Sequence, residues 1–266
     1  WPSLLASCLS LLAIYALGRE IVGVRGGLLA MCIAGTTIYF ARYGRQATTD
    51  AQLALWVAAA NAALARMILR RITWRNALLG GVAIGLAFMS KGPIALLMTI
   101  VPAAIYLCFA AQRPRVRWMP LIIGTIVLIL VGGWWYAYVD WRIPAAMHHW
   151  TKELTVADSG EHAGNVFCYT SIFIYVLPWT AMFIFGLVWI CVEWRSRDRW
   201  LWIVLIVLLP AIAMSFFPER RERYLLPLLG PAALLVVRGL LPMFYRSIGP
   251  RIPDWVQWAV LFALAT

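Results

Sequence analysis

Ten apolar runs, each close to the length of a membrane-spanning helix, alternate along this chain with short gaps rich in arginine. A helix needs about 20 mostly apolar residues to cross a bilayer. The runs lack the alternation of a membrane β-barrel, and backbone groups in lipid must be bonded within the structure, so helices are expected. We therefore predict an all-α, polytopic integral membrane protein with about ten transmembrane helices. The predicted spans lie near residues 3–18, 26–41, 51–68, 76–90, 93–111, 119–139, 167–192, 200–217, 224–241 and 254–266.

The composition favours a single transmembrane domain over residues 1–266. Hydrophobic residues make up 63% of the chain and charged residues 13%, whereas a soluble domain has about 25% charged residues. The net charge of +12 could suggest a nucleic-acid partner, but most Lys and Arg residues lie between apolar runs, as topogenic charges do. The five cysteines form no CxxC pair, so neither a disulfide nor a zinc site is predicted. Since the chain begins without Met and ends inside an apolar run, we expect a fragment of a longer protein.

The charges also predict which gaps share a side of the membrane. Numbered alternately, one set of gaps holds 15 of the 23 Lys and Arg residues, which makes that set cytoplasmic by the positive-inside rule. The other set holds seven of the eleven acidic residues and all three histidines. The residues capable of chemistry are therefore predicted to collect on the outer face.

The first outer gap, residues 41–50, contains Arg45 and Asp50. Thr49 or Asp50 can cap the following helix, and Arg42 can lie at the C-terminus of the preceding one, which accounts for these residue types without a function. The functional alternative adds both arginines to an anion-binding site. Both interpretations stay open from the sequence.

Lys91 is the only charged residue between Asn76 and Gln112, and Gly92 and Pro93 follow it. A charge at the bilayer centre costs on the order of 3 kcal/mol on insertion scales. Gly92 and Pro93 predict a tight turn, with the next helix beginning at the proline. Lys91 could simply extend its amine to the membrane surface. Its isolation favours a functional counter-ion instead, which we take to be a lipid-linked phosphate.

One sizeable hydrophilic loop, residues 140–166, is predicted on the outer face. Its Glu153 or Glu161, together with His162, could bind a divalent metal ion or orient a hydroxyl group. Polar loops commonly contain such residues, and no spacing resembles a closed metal site. No metal ligand is firmly assigned, and a divalent ion is the one cofactor that the sequence suggests.

A cluster of three arginines, Arg220, Arg221 and Arg223, precedes Tyr224 in the last outer gap. Arginines on the outer face run against the positive-inside trend. Salt bridges to the two neighbouring glutamates would account for two of them and leave one. Arginine stays charged and binds phosphate through paired hydrogen bonds, so the cluster is a candidate phosphate site.

Four segments occur in order along the chain: Arg45 to Asp50, Ser90 to Pro93, Tyr175 to Thr180, and Arg220 to Pro227. In this order they resemble the polyprenyl-phosphate-sugar-dependent glycosyltransferases of the GT-C architecture. The nearest groups are the bacterial relatives of dolichyl-phosphate-mannose protein mannosyltransferases and the aminoarabinose transferases that act on lipid A. The resemblance covers nearly the whole chain.

The resemblance implies a multi-span enzyme of the bacterial inner membrane with a periplasmic active face. Such an enzyme moves a sugar from a polyprenyl-phosphate carrier to a hydroxyl of a protein, of lipid A or of another glycan or lipid. Lys91 looks like the lysine that contacts the donor phosphate. Arg220 or Arg221 takes the family's basic position, and Tyr224 matches its tyrosine. The candidate donor-phosphate residues are thus Lys91, Arg220, Arg221, Arg223, Tyr224 and Arg45.

Other parts of the family's site match less closely. Glu153 and His162 fall where family members place loop residues near the donor, although the usual arginine beside the acidic residue has no clear counterpart. The family's catalytic carboxylate lies between its first two spans, and Trp1 looks like the start of the second. The general base is therefore expected upstream of Trp1. Asp50 lies on the same side but matches a different motif, and it joins Glu153 and His162 as a possible donor, acceptor or metal contact.

Two other functions stay open from the sequence. A flippase or transporter of lipid-linked sugars would make no glycosidic bond, and it would need polar groups along a path through several spans, where the predicted spans hold almost none. A structural or assembly subunit is the third alternative. No nucleotide-binding motif is present, as expected for an enzyme whose donor is already activated.

Overall fold

The computed structural model describes residues 2–46, 48–110, 116–143, 166–192, 197–216 and 222–244. Regular structure in these ranges is entirely helical. The α-helices are α1 (Pro2–Val22), α2 (Val24–Thr36), α3 (Ile38–Tyr43), α4 (Thr49–Leu69), α5 (Trp74–Lys91), α6 (Ile94–Leu97), α7 (Ile100–Phe109), α8 (Trp118–Arg142), α9 (Ile172–Tyr175), α10 (Thr180–Val192), α11 (Arg197–Ser215) and α12 (Leu229–Phe244). The 3-10 helices are η1 (Val166–Ser171), before α9, and η2 (Glu222–Leu228), before α12.

Several described helices are long and apolar enough to cross a membrane. They are Pro2–Val22, Thr49–Leu69, Trp118–Arg142 and the segment Arg223–Leu241, which joins η2 to α12. A fifth span is formed if the helices Tyr169–Tyr175 and Thr180–Cys191, between which the chain bends by 119°, are counted together. The all-α membrane architecture predicted from the apolar runs is confirmed.

The number of spans is less simple than the apolar runs suggest. The run predicted at 26–41 is divided into α2 and α3, and the run at 93–111 into α6 and α7. The last run, 254–266, lies outside the described residues. The count of about ten spans therefore stays a prediction.

The boundary between α2 and α3 and the end of α5 each follow from the backbone conformation of one residue. Thr37 is extended, with ψ 138°, and its side-chain oxygen accepts a hydrogen bond from the backbone N–H of Phe40, so one residue ends α2 and caps α3. Gly92 has φ 65°, a region that L side chains rarely adopt, and Pro93 follows it. Lys91 is consequently the last residue of α5, as the predicted tight turn requires.

The break between α6 and α7 depends on a proline and a neighbouring helix. In an unbroken helix the carbonyl of Met98 would accept from the N–H of residue 102, but Pro102 has none. Asn61 of α4, which is 1% exposed, donates its side-chain Nδ2 to this carbonyl at 3.2 Å. The carbonyl is therefore satisfied inside the protein, as a polar group at membrane depth must be.

Glycines bring pairs of helices into backbone contact. A Cβ atom on Gly81 of α5 would lie 2.3 Å from the carbonyl oxygen of Gly124 in α8. A Cβ atom on Gly186 of α10 would lie 2.0 Å from the carbonyl oxygen of Leu235 in α12. Small residues at such positions are the usual means by which membrane helices approach closely.

The helices form a bundle with a buried centre and a peripheral member. Helix α4 packs between α1 and α5, and α12 packs against both α2 and α10. The span that contains α12 has 94% of its residues buried within the protein, whereas that of α8 has 11%. Helix α8 therefore lies at the edge and packs on α5, the helix that ends in Lys91.

Candidate active site

Asp50 is a buried carboxylate at the start of α4. It is the second residue of the helix and is 2% exposed. The N-cap position of the helix is Thr48, whose side chain makes no capping hydrogen bond, so the prediction that Thr49 or Asp50 is the cap is wrong. Asp50 in the first turn still benefits from the positive end of the helix dipole. Its burial requires further partners, because an unpaired carboxylate inside a protein is costly.

Two cations supply those partners. The Lys91 amine, at the end of α5, donates to Asp50 Oδ1. The Nε atom of Arg223 lies 3.5 Å from Asp50 Oδ2, which is an ion pair but long for a hydrogen bond. Each oxygen of the carboxylate thus faces one cation.

Tyr224 completes this group, which we call the Asp50 cluster (Asp50, Lys91, Arg223 and Tyr224). The Lys91 amine lies 3.8 Å from the centre of the Tyr224 ring, a cation–π contact. Arg223 and Tyr224 both belong to η2, which packs against α4. Three segments far apart in the sequence therefore converge: the start of α4, the end of α5 and η2.

The candidate residues predicted from the sequence fall into three groups. Lys91, Arg223, Tyr224 and Asp50 come together. Arg45 is exposed and donates its Nε to the Ala41 carbonyl at 2.9 Å, and among the described residues no hydrogen bond or ion pair joins it to the cluster. The remaining candidates, Arg220, Arg221, Glu153 and His162, lie outside the described residues, as does most of the loop 140–166.

A metal site usually needs at least three His, Cys, Asp or Glu side chains close together. No three His, Cys, Asp or Glu side chains within the ranges given above are close enough together to hold an ion. The possible metal contacts Glu153 and His162 are not among these residues, so their role stays a prediction.

The sequence analysis did not predict the ion pair between Asp50 and Lys91. The two residues are 41 positions apart, and Lys91 was matched instead with an external phosphate and with other cations. One signal was available: both residues lie in gaps of the set that was predicted to share the outer side, where Asp50 is the acidic residue nearest in sequence to Lys91.

A second buried carboxylate lies at the opposite end of the bundle. Glu20 of α1 faces Arg66 at 3.1 Å and Arg70 at 2.6 Å, through different oxygens. We call these three residues the Glu20 cluster. Arg66 is 16 residues after Asp50 on α4, a separation of roughly 24 Å at 1.5 Å per residue. Alternate gaps thus meet at opposite ends, as the charge distribution predicted.

The chemistry of the Asp50 cluster suits an anion. Lys91 and Arg223 together carry one more positive charge than Asp50 neutralises. Both are partly enclosed, with 16% and 35% of their side chains exposed. Cations held in place beside a medium of low dielectric constant stabilise a developing negative charge more effectively than cations in water.

Several curated proteins are similar to this chain. Among curated relatives, the undecaprenyl phosphate-alpha-4-amino-4-deoxy-L-arabinose arabinosyl transferase of Pectobacterium atrosepticum is 26% identical over 272 residues, covering 97% of this chain and 48% of the relative. The corresponding transferase 2 of Proteus mirabilis is 24% identical over 253 residues, covering 89% of this chain and 44% of the relative. The chain spans about half the length of the relatives it matches.

Solved structures with the same fold come from ArnT of Cupriavidus metallidurans. Its apo structure matches with a TM-score of 0.73 at 18% identity, covering 97% of this chain and 47% of that chain. Its structure bound to undecaprenyl phosphate matches with a TM-score of 0.75 at 17% identity, covering 99% and 48%. A family model described as dolichyl-phosphate-mannose-protein mannosyltransferase matches residues 1–136, just over half of the chain. The chain therefore belongs to the dolichyl-phosphate-mannose-protein mannosyltransferase family.

Proposed function

We propose that this chain belongs to a membrane glycosyltransferase that moves a sugar from a polyprenyl-phosphate carrier to an acceptor hydroxyl. The acceptor is a protein, lipid A or another glycan or lipid. The reaction takes place on the periplasmic face of the bacterial inner membrane, where the positive-inside rule puts the Asp50 cluster. Residues 1–266 act as one transmembrane domain.

The observation that carries this proposal is the Asp50 cluster itself. A cationic group built from three separate segments lies in a fold shared with a protein whose structure was determined with undecaprenyl phosphate. The names of the curated relatives describe transfer of a sugar from the same lipid phosphate. A phosphate at the end of a membrane lipid can reach a cationic site at one end of a membrane-spanning helical bundle.

The chemistry is a displacement at the anomeric carbon of the donor. The acceptor oxygen forms a bond to that carbon, the bond from carbon to the phosphate oxygen breaks, and the acceptor proton passes to a carboxylate base. The leaving phosphate gains negative charge as the bond breaks. Lys91 and Arg223 stabilise that charge through their fixed positions.

The test is Lys91→Ala in the full-length protein, with Arg70→Ala as the matched control. Both changes remove one cation that faces a buried carboxylate, at opposite ends of the bundle. The assay follows sugar transfer from a panel of undecaprenyl-phosphate sugars in proteoliposomes, with insertion and thermal stability measured in parallel. We expect about a 100-fold loss of transfer for Lys91→Ala, the effect of removing one group that stabilises a developing anion, and less than about threefold for Arg70→Ala.

Two outcomes would contradict the proposal. One is a Lys91→Ala protein that inserts normally and transfers sugar at the parental rate. The other is movement of labelled lipid-linked sugar across the membrane without any new glycosidic bond, which would indicate a flippase.

A further inference from the structure

We propose that Asp50 is a positioning residue whose negative charge offsets part of the positive charge of the phosphate site, so that the site favours a singly charged phosphodiester over a more highly charged phosphomonoester. This inference rests on the proposed function and defines the charge state of the ligand at that site. It separates Asp50 from the catalytic base, the role that a carboxylate predicted on the outer side would otherwise suggest.

The first step concerns what the Asp50 carboxylate contacts. Its two oxygens face different cations, Lys91 on Oδ1 and Arg223 on Oδ2. Taking a proton from an acceptor would leave these two enclosed cations facing a neutral group. Burial of charge is tolerated only where it is compensated, and the charge of the Asp50 carboxylate is what faces both cations. Asp50 is therefore suited to hold cations in place and unsuited to serve as the base.

The second step concerns geometry. Lys91 and Arg223 belong to α5 and η2, which are separate elements that meet at Asp50 on α4. A long flexible side chain such as lysine has many rotamers, and fixing it in one of them costs entropy. The carboxylate and the Tyr224 ring together fix the Lys91 amine from two directions before a ligand arrives. A site organised in advance stabilises a charged ligand without further rearrangement.

The third step concerns charge. Asp50 contributes one negative charge, and Lys91 and Arg223 contribute one positive charge each, so these described residues carry a net charge of +1. A polyprenyl-phosphate sugar is a phosphodiester with one negative charge. The product, a polyprenyl phosphate, is a monoester with about −1.5 to −2 at neutral pH. The negative charge of Asp50 thus weakens the attraction of the cluster for the product more than its attraction for the donor, which favours product release.

The test compares two lipids that differ in charge at the phosphate. They are undecaprenyl phosphate and its methyl ester, which is a phosphodiester. Binding of each is measured to the full-length protein in nanodiscs, for the parental protein and for Asp50→Asn, Arg223→Gln and Glu20→Gln. The ratio of the two affinities is the readout, because general damage to the fold weakens both lipids together and leaves the ratio unchanged. Turnover with a sugar donor is measured in parallel.

We expect opposite shifts in the two site variants. Asp50→Asn raises the net charge of the cluster to +2 and should shift the ratio by about tenfold towards the monoester, while turnover falls. Arg223→Gln lowers the net charge to zero and should shift the ratio towards the phosphodiester. Glu20→Gln, which changes the same kind of carboxylate on α1 at the opposite end of the bundle, should leave the ratio unchanged.

Each remaining outcome counts against a specific statement. An unchanged ratio in both site variants, or a shift in the same direction in both, overturns the role of Asp50. If Asp50→Asn does not fold, an unchanged ratio in Arg223→Gln alone overturns it. A third outcome separates the two proposals. If the variants shift the ratio as expected, but the parental protein binds both lipids and transfers no sugar, the role of Asp50 is upheld and the glycosyltransferase function is contradicted.

Discussion

The Asp50 and Glu20 clusters use the same chemistry at opposite ends of the bundle. In each, a carboxylate that is almost completely buried faces two cations through different oxygens. The cations differ in exposure: Arg66 and Arg70 are 31% and 62% exposed, whereas Lys91 and Arg223 are 16% and 35% exposed. Lys91 is the least exposed of the four cations and Arg70 the most exposed, while Arg66 and Arg223 are similar.

The backbone that supports the two clusters also differs. Glu20 and Arg66 lie in the long helices α1 and α4, and Arg70 directly follows α4. The Asp50 cluster combines a helix start, a helix end next to a glycine with positive φ, and a 3-10 helix. Regular helices place side chains at fixed intervals on one surface, whereas helix ends and 3-10 segments bring side chains from different directions to one point. The difference fits the ligand-binding role proposed for the Asp50 cluster and a structural role for the Glu20 cluster.

The largest expected effect comes from removing both cations at one end. Lys91→Ala combined with Arg223→Ala should lower sugar transfer by about 1000-fold, since no described cation of the cluster would remain to face the leaving phosphate. Arg66→Ala combined with Arg70→Ala should lower transfer by less than about threefold in the folded fraction. Transfer rates per folded molecule in proteoliposomes measure both. Equal losses in the two double variants would remove the functional distinction between the clusters.

The next largest effect concerns Asn61, whose buried side-chain amide donates to the Met98 carbonyl at the break between α6 and α7. Asn61→Leu leaves the Met98 carbonyl without its donor, and the free energy of unfolding should fall by about 2 kcal/mol. Asn76→Leu is the control, because its Nδ2 donates to the Arg71 carbonyl at 3.4 Å in an exposed position. Its loss should be below about 0.5 kcal/mol. Unfolding in a detergent series compares them, and equal losses would show that the α6–α7 break does not depend on Asn61.

Two glycines with positive φ, one at each end of the bundle, allow the two ends to be compared. Gly23, between α1 and α2, has φ 87°, and Gly92, after Lys91, has φ 65°. Alanine at either position should lower the free energy of unfolding by about 1–2 kcal/mol, because L residues rarely adopt such angles. Only Gly92→Ala should also lower transfer per folded molecule, since its turn fixes Lys91. Reduced transfer by Gly23→Ala to the same extent would mean that strain at any helix junction affects catalysis.

The smallest expected effect is that of Glu20→Gln. The amide keeps the shape of the side chain but loses the charge that faces two partly exposed arginines, so the loss of stability should be about 1 kcal/mol. Transfer per folded molecule should not change. Thermal unfolding and initial rates test the two parts separately, and a clear drop in transfer with unchanged stability would assign the Glu20 cluster a role in function.

The sequence was sufficient for the fold class and for three of the segments that meet at the Asp50 cluster. The apolar runs predicted the helices, and Gly92-Pro93 predicted the turn that follows Lys91. The breaks at Thr37 and at Met98 were not predicted, because both occur within apolar runs and depend on contacts between distant segments. Asn61 shows the reason: its partner is a backbone carbonyl 37 residues away, which no local pattern reports.

The composition of the site was predicted better than its internal pairing. Lys91, Arg223 and Tyr224 were predicted as phosphate contacts, and these residues do lie together. Asp50 was considered as a helix cap and as a possible ligand contact, because its position at a helix start fits either role. That it holds both cations follows from the packing of α4 against α5 and η2, which hydrophobic periodicity and charge alternation do not specify.

Helix α8 gives the protein a means of responding to the thickness of the surrounding bilayer. Its 25 residues span roughly 37 Å at 1.5 Å per residue, whereas the hydrocarbon core of a bilayer is about 30 Å thick. The helix must tilt, or extend beyond the core, and its tilt should change with the length of the lipid chains. The Tyr136 hydroxyl of α8 donates to the Phe88 carbonyl of α5, which also accepts from the backbone N–H of Gly92. A change in the tilt of α8 would thus reach the turn that holds Lys91 through this hydrogen bond as well as through the packing of α8 on α5.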